Sequence, residues 1–211
     1  PLFFLAGGSN VVIADQGVAG TTIWIRTTGI EERELEDGRV SLTVAAGEDW
    51  DALVTRAVGS GLSGIECLSG IPGTVGATPI QNVGAYGQEV STTIDSILAL
   101  DRESGEVGTI SAAECGFGYR SSRFKGNSRF LVLAVEFILD PSDESAPIAY
   151  SQLAGALGVE TGERVPLAAA RETVLELRRS KSMVVDPADP DSVSAGSFFT
   201  NPLLSEVEMA V

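Results

Sequence analysis

Two glycine-rich stretches are the first candidates for binding chemistry in this sequence. One is Gly7-Gly8-Ser9-Asn10, and the other is GIPGTVGATPIQNVGAYG, residues 70–87. Their glycine spacing matches neither a Gly-x-Gly-x-x-Gly fingerprint nor a Walker loop. Both have the composition that lets successive main-chain N–H groups point at an anion, so together they could hold the diphosphate of a dinucleotide. The alternative interpretation is a set of tight turns in a β-rich domain.

A basic stretch, CGFGYRSSRFK at residues 115–125, is the second candidate. It places Tyr119 next to Arg120 and adds Arg123 and Lys125 close by. A guanidinium can bind a carboxylate or a phosphate with two parallel hydrogen bonds, so this stretch could recognise an anion. The alternative is a turn with a solvated basic face.

A serine in an apolar context is the third candidate. In AGSFFTNP, residues 195–202, Ser197 is followed by two phenylalanines. These rings could exclude water from the hydroxyl and direct a proton transfer, although most such serines are turn residues. Just upstream, Arg178, Arg179 and Lys181 could form a second anion site or simply end a helix.

The composition excludes several function classes. The chain has 211 residues, and its net charge of -15 argues against binding to nucleic acid or to an anionic membrane. The absence of histidine rules out a Ser-His-Asp hydrolase and a histidine metal site, and we expect no metal site. The two cysteines, Cys67 and Cys115, fit no zinc pattern and are expected to be buried free thiols in a reducing cytoplasm. We find neither a signal peptide nor a membrane-spanning run.

The hydrophobic pattern predicts the strands and helices on which these residues lie. The first half predicts strands and turns, with strands on both sides of residues 7–10 and a hairpin turning at Asp37-Gly38. Residues 48–62 predict a helix with Trp50, Leu53, Val54, Ala57 and Val58 on one face. Later segments predict a strand pair over 91–107, a long strand over 127–140, helices over 151–158 and 166–181, and a loop over 184–202. A change to Pro, Ser and acidic residues indicates a boundary near residue 145.

Taken together, five motifs resemble the UDP-N-acetylenolpyruvoylglucosamine reductase family. They are AGGSNVVIAD, GIPGTVGATPIQNVGAYG, CGFGYRSSRFK, RRSK and AGSFFTNP, and the last two are similar to actinobacterial versions. The resemblance implies an α+β fold, with a vanillyl-alcohol-oxidase or PCMH-type FAD-binding domain followed by part of an α/β substrate-binding domain. We expect the FAD-binding domain over 1–145 and a helical linker with the start of the substrate domain over 146–211, both ends being incomplete.

The resemblance also implies which residues bind the cofactor FAD. Carried over by position, those that contact FAD or line its cleft are Gly7, Gly8, Ser9, Asn10, Gly70, Ile71, Pro72, Gly73, Thr74, Gly76, Ala77, Gln81, Asn82, Gly84, Ala85 and Tyr86.

The activity implied by the resemblance is reduction of a UDP-sugar enolpyruvyl ether by NADPH through FAD, for peptidoglycan synthesis. Ser197 matches the family's proton donor and Arg120 the arginine that holds the substrate carboxylate. Tyr119, Arg120, Lys181 and Asn201 match substrate-binding positions. A catalytic glutamate of the family, near its C-terminus, is not matched within the chain. We expect a cytoplasmic monomer with a small-molecule substrate. The alternatives are another FAD-dependent oxidoreductase of the same fold and a non-catalytic nucleotide-binding module.

Overall fold

The computed structural model describes residues 1–193 and 201–202. Within these residues the strands are β1 (Leu2–Leu5), β2 (Thr21–Trp24), β3 (Ile30–Glu34), β4 (Val40–Ala45), β5 (Leu62–Ser63), β6 (Gly84–Ala85), β7 (Gln88–Glu89), β8 (Ile94–Asp101), β9 (Val107–Ser111) and β10 (Phe130–Pro141). The α-helices are α1 (Trp50–Gly59), α2 (Ser151–Leu157) and α3 (Leu167–Arg179). None of the helices in this part of the chain is long and apolar enough to cross a membrane. Strands and helices are mixed, which confirms the predicted α+β class.

The main sheet is built around β10, the long apolar strand that the sequence predicts. Its order is β3-β4-β10-β8-β9, all neighbours are antiparallel, and β5 pairs with the end of β10. Buried residues of β10 and β4 face α1, where the Trp50 and Phe137 rings lie 5.9 Å apart and are both fully buried. The sheet and α1 therefore form the first hydrophobic core.

Helix α1 begins and ends where its sequence predicts. The Asp49 carboxylate caps the first turn by accepting a hydrogen bond from the Ala52 N–H at 2.8 Å. Trp50, Leu53, Val54 and Ala57 are buried as expected, whereas Val58 is only half-buried. The predicted hairpin at Asp37-Gly38 is also confirmed, since it joins β3 to β4.

Helices α2 and α3 enclose a second core. Its buried side chains come from both helices and the segments before them, together with Cys67 from the 3-10 helix Glu66–Leu68. Pro166 precedes α3, and its last turn carries Arg178 and Arg179, as the sequence predicts. The second core thus rests on a segment that also belongs to the first. The domain boundary near residue 145 stays a prediction.

A buried carboxylate joins the segments between the two cores. Glu66 is fully buried and accepts hydrogen bonds from the N–H groups of Gly64 and Ala146, both at 2.6 Å, and from the Gln88 side chain at 3.0 Å. Burying a charged group is costly unless donors surround it, and here three segments provide them. Glu66 therefore fixes residue 146, just after the predicted boundary, to the first core.

One local prediction is wrong, and a second is incomplete. Val11, Val12 and Ile13 form no strand, and Val12 is 92% exposed, because β1 pairs in parallel with the later β2 instead. The expected loop over 184–202 contains a 3-10 helix, Pro190–Val193, in which the Ser192 hydroxyl donates to Asp186 O and accepts from Asp186 N–H. Apolar composition alone does not supply the partner strand that the first segment would need.

Candidate functional site

The two glycine-rich loops lie against each other. A Cβ atom on Gly7 would lie only 2.9 Å from the Cα of Gly73, so the main chains meet where neither has a side chain. The Ser9 hydroxyl donates to the Pro72 carbonyl at 3.2 Å, and Gly73 has a φ of 120°. The structure thus brings residues 7–10 and 70–74 together as one surface.

The first turn of α1 holds the second loop in place. The Trp50 N–H donates to the Gly73 carbonyl at 3.1 Å, and the Trp50 indole donates to the Leu68 carbonyl at 3.0 Å. The Gly70 N–H donates to the Asp51 carboxylate at 2.6 Å. Because α1 is packed on the sheet, these bonds attach the loop to the first core.

Several main-chain donors of the paired loops remain unused. Among residues 1–193 and 201–202, no acceptor lies within hydrogen-bond reach of the N–H groups of Gly7, Gly8, Ser9, Asn10, Ile71, Gly73 or Thr74. The next N–H groups, those of Val75 and Gly76, donate to the carbonyls of Glu48 and Ala46. Unused N–H groups collected on two adjoining loops form a surface that favours an anion without any cationic side chain.

A cavity of about 310 Å³ adjoins these loops. Ala6, Thr74 and Ala77 line it from the loops, and largely apolar side chains including Ile25 and Phe130 line the rest. The Thr74 hydroxyl is buried and has no hydrogen-bond partner in the described part of the chain. An unsatisfied buried hydroxyl is destabilising, so a ligand that supplies a partner would be favoured. The unused N–H groups, this hydroxyl and the cavity fit an elongated ligand with an anionic centre.

Other predicted glycines serve packing within the protein. A Cβ on Gly76 would lie 2.5 Å from the Cβ of Ala46, and one on Gly70 would lie 2.8 Å from the Leu175 side chain. A Cβ on Gly8, in contrast, would meet nothing within 4 Å. The glycine-rich composition therefore has two causes, of which only one is access to a ligand.

Arg120 forms a second group with residues 82–89. Its guanidinium donates to the Gly84 carbonyl at 2.6 Å and to the Asn82 carbonyl at 3.2 Å, and it pairs with Glu89 at 3.1 Å. The Asn82 amide also donates to Glu89, at 2.8 Å. No sequence pattern marks Glu89, because its contact with Arg120 depends on the β6–β7 hairpin and on a loop more than thirty residues away. This network orients the guanidinium and orders the hairpin at once.

Tyr86 is the centre of a third group. Its ring packs edge-on against Tyr150 with centroids 5.7 Å apart, and the Lys181 ammonium lies 6.0 Å from its centroid while donating to the Gln152 side chain. Burial raises the pKa of the Tyr86 hydroxyl. The structure therefore brings Lys181, from beyond α3, to the same loop as Arg120.

Arg178, which the sequence left open between a helix end and an anion site, lies beside this group. Its Nε atom is buried without a hydrogen-bond partner in the described residues and lies 3.3 Å from the position of a Cβ on Gly70. Burial lowers the pKa of Arg178.

The remaining predicted residues are less informative. Tyr119 is exposed with the Arg120 guanidinium 5.1 Å from its ring, and Pro72 is exposed. Gln81 and Ala85 are half-buried, and Asn201 is exposed. Ser197 lies outside the described residues.

The sequence profile described as "FAD binding domain" matches residues 1–111, more than half of the chain. The chain belongs to the FAD-binding domain family. This match confirms the FAD cofactor predicted from the sequence, and it includes both glycine-rich loops of the FAD-binding domain, whose unused N–H groups suit an anionic ligand.

Similarity to curated proteins extends beyond the FAD-binding domain and spans this whole chain. The chain is 56% identical over 210 residues to the UDP-N-acetylenolpyruvoylglucosamine reductase of Thermobifida fusca, covering 100% of this chain and 59% of that protein. It is 59% identical over 212 residues to the enzyme of the same name from Streptomyces avermitilis, covering 100% and 57%. The resemblance found in the motifs is thereby confirmed. The chain spans less than two thirds of the length of these curated relatives.

A solved structure shows the same fold. UDP-N-acetylenolpyruvylglucosamine reductase from Thermus caldophilus aligns with a TM-score of 0.63 at 24% identity, covering 96% of this chain and 62% of that one. The FAD-binding domain and the helical segment after it therefore follow a known arrangement.

Proposed function

We propose that this chain provides the FAD-binding part and the first substrate-binding residues of an NADPH-dependent UDP-N-acetylenolpyruvoylglucosamine reductase. The observation that carries the proposal is the 59% identity over the whole chain to a relative of that name. The aligned region extends past residue 111, where the family match ends, and so includes the positions of Tyr119, Arg120, Lys181 and Ser197. An FAD-binding domain with another substrate would not need these residues.

The paired loops would hold FAD. The unused N–H groups of residues 7–10 and 71–74 would bind its diphosphate, and the Thr74 hydroxyl would gain a partner. Bound FAD supplies the acceptance and donation of a hydride, which no side chain can provide. The protein's part is to hold the reactants and to stabilise charge.

Arg120 would hold the carboxylate of the enolpyruvyl group. Its guanidinium is fixed by the Gly84 and Asn82 carbonyls and by Glu89, and it retains N–H donors that these contacts do not use. Negative charge grows beside this carboxylate as the substrate is reduced, and a fixed cation stabilises it more in the transition state than in the ground state.

The other assigned residues would complete substrate binding and protonation. Ser197 would donate the proton that completes reduction, while Tyr119, Lys181 and Asn201 would hold the UDP-sugar. We further propose the division into residues 1–145 and 146–211, a monomeric state and a cytoplasmic location, to which the -15 net charge and the buried free thiols are suited.

Absorption spectroscopy tests the proposal in two half-reactions of the enzyme that contains this chain. We expect a flavin spectrum that bleaches with NADPH and recovers with UDP-N-acetylglucosamine enolpyruvate. The Ser197→Ala variant should still bleach but should not recover with substrate. Recovery with simple alcohols instead would favour another flavoenzyme of this fold, and FAD binding without bleaching would favour a non-catalytic module.

A further inference from the structure

We propose that Asp51 and Arg171 are positioning residues for the cofactor loop, through which α3 fixes the direction of the N–H groups that follow Gly70. The inference rests on the proposed binding of FAD by residues 7–10 and 71–74. Asp51 and Arg171 themselves would not touch the cofactor.

Asp51 and Arg171 link α3 to the cofactor loop through consecutive short hydrogen bonds. Arg171 donates from both terminal nitrogens to the two Asp51 carboxylate oxygens, each at 2.8 Å, and also to the Thr55 hydroxyl at 2.7 Å. One of the same carboxylate oxygens accepts the Gly70 N–H at 2.6 Å. Bidentate pairs with a guanidinium are strong and geometrically specific, so the position of the carboxylate follows that of α3.

These hydrogen bonds are the polar link between α3 and the loop, which the Leu175 and Arg178 side chains of α3 also contact beside Gly70. In residues 1–193 and 201–202, no hydrogen bond joins α3 directly to residues 70–74. Burial alone would raise the pKa of Asp51, but the hydrogen bonds from Arg171 and from the Gly70 N–H outweigh it, so the pKa is lowered and the carboxylate is ionised at neutral pH. The Arg171 side chain is 15% exposed and the Asp51 side chain 34%, so the pair is partly shielded from solvent.

The loop depends on this support because of its conformation. Gly70 has a φ of 69°, and the N–H groups of Ile71, Gly73 and Thr74 that follow it have no acceptor in the described part of the chain. A segment with unused donors has little hydrogen bonding of its own to maintain its shape. The direction of these donors is therefore set by the contacts that hold the loop. They include Asp51 at the Gly70 N–H, the Ser9 hydroxyl at the Pro72 carbonyl and the Trp50 N–H at the Gly73 carbonyl.

Measuring FAD affinity with matched variants tests the proposal. Asp51→Ala should raise the FAD dissociation constant about tenfold or more, as expected when hydrogen bonds to a charged group are lost. Arg171→Gln should raise it by a smaller factor, and Arg171→Lys should lie between Gln and wild type. The controls are Glu32→Ala and Arg56→Gln, which break an exposed ion pair between β3 and α1. Both should stay within about twofold of wild type.

Amide hydrogen exchange in the cofactor-free chain separates positioning from a general loss of stability. In Asp51→Ala and Arg171→Gln, exchange should rise at the hydrogen-bonded amides that hold the loop, those of Gly70, Val75 and Trp50, while β4 and β10 keep their protection. Wild-type affinity in these variants, or exchange that rises equally in the sheet, would overturn the proposal. If Asp51→Ala does not fold, the two Arg171 variants decide. Failure of the wild-type chain to bind FAD would count against the proposed function, and the exchange pattern would still test the positioning.

Discussion

A Cβ atom on Gly7 would lie 2.9 Å from the Gly73 Cα, whereas one on Gly59 would meet nothing within 4 Å. Both residues have backbone angles that other residues can adopt, since neither has a positive φ. The two positions therefore separate the effect of loop contact from that of glycine content.

We expect Gly7→Ala to weaken FAD binding by at least about tenfold, because the new methyl group separates loops whose donors must act together. Gly59→Ala should leave affinity unchanged. Isothermal titration of the cofactor-free variants with FAD measures both. Equal affinities for the two variants would show that the loop contact is not needed for binding.

For Arg120 we expect Arg120→Lys to retain FAD but to lose at least about a hundredfold in turnover. Lysine keeps the positive charge but cannot form two parallel hydrogen bonds to a carboxylate. Arg123→Lys is the control, since Arg123 lies nearby and is exposed. Steady-state assays beside the flavin-to-protein absorbance ratio compare them. Parallel loss of turnover and flavin in Arg120→Lys would indicate that Arg120 only orders the hairpin.

At this scale the sequence identified residues but not their partners. Gly7, Gly73 and Arg120 stand in recognisable local motifs. Glu89, Asp51 and Arg171 do not, because their importance comes from contacts between segments that are distant along the chain. A carboxylate or guanidinium in an amphipathic helix looks the same whether it faces solvent or holds a loop.

Among the elements, the connection between the two cores depends on Glu66. Its carboxylate accepts from Gly64, Gln88 and Ala146, and these donors lie on three separate segments. Removing the carboxylate would leave buried donors without partners.

We therefore expect Glu66→Ala to lower the free energy of unfolding by about 3 kcal/mol, the scale of losing one partner of a buried charged network. Glu36→Ala, in the exposed β3–β4 turn, should change it by less than about 0.5 kcal/mol. Urea unfolding gives both free energies, provided that the slope of the free energy of unfolding against urea concentration is the same in the variants and the wild type. A loss below about 1 kcal/mol for Glu66→Ala would mean that water replaces the carboxylate.

Element prediction succeeded where a periodic pattern coincided with burial. The helical face of α1 and the apolar run of β10 are both buried, so their sequences carry the signal directly. The apolar residues Val11–Ile13 had the same signal but are exposed, since the partner strand for β1 comes from β2. Which strands pair with each other is decided by the sheet as a whole, so the sequence of one segment does not determine its partner.

At the scale of the whole molecule, the two free cysteines can show whether the two cores open together, because each core contains one of them. Cys115 lies in the first core and Cys67 in the second. Burial raises the pKa of Cys67 to about 12 and that of Cys115 to about 11. Since a raised pKa keeps a thiol protonated until the pH approaches that value, both remain unreactive in the folded protein at mildly alkaline pH.

We expect a thiol reagent at about pH 8 to label both cysteines only through unfolding, and at the same rate, because the 3-10 helix Glu66–Leu68 belongs to both cores. Mass spectrometry of the labelled peptides over time gives the two rates, and denatured protein gives the unprotected reference. Faster labelling at Cys67 would show that the helical part opens independently.

The unused N–H groups of the paired loops have a consequence for regulation. A phosphate gripped by lysine can be released when the amine is acetylated, loses its proton or is shielded by salt. Main-chain amides offer no such handle: they do not titrate in the range where proteins are folded, and no modifying enzyme neutralises them. In a chain with 29 acidic and 14 basic residues, cofactor retention would then be insensitive to pH and to surface charge, and only changes in chain geometry would tune it.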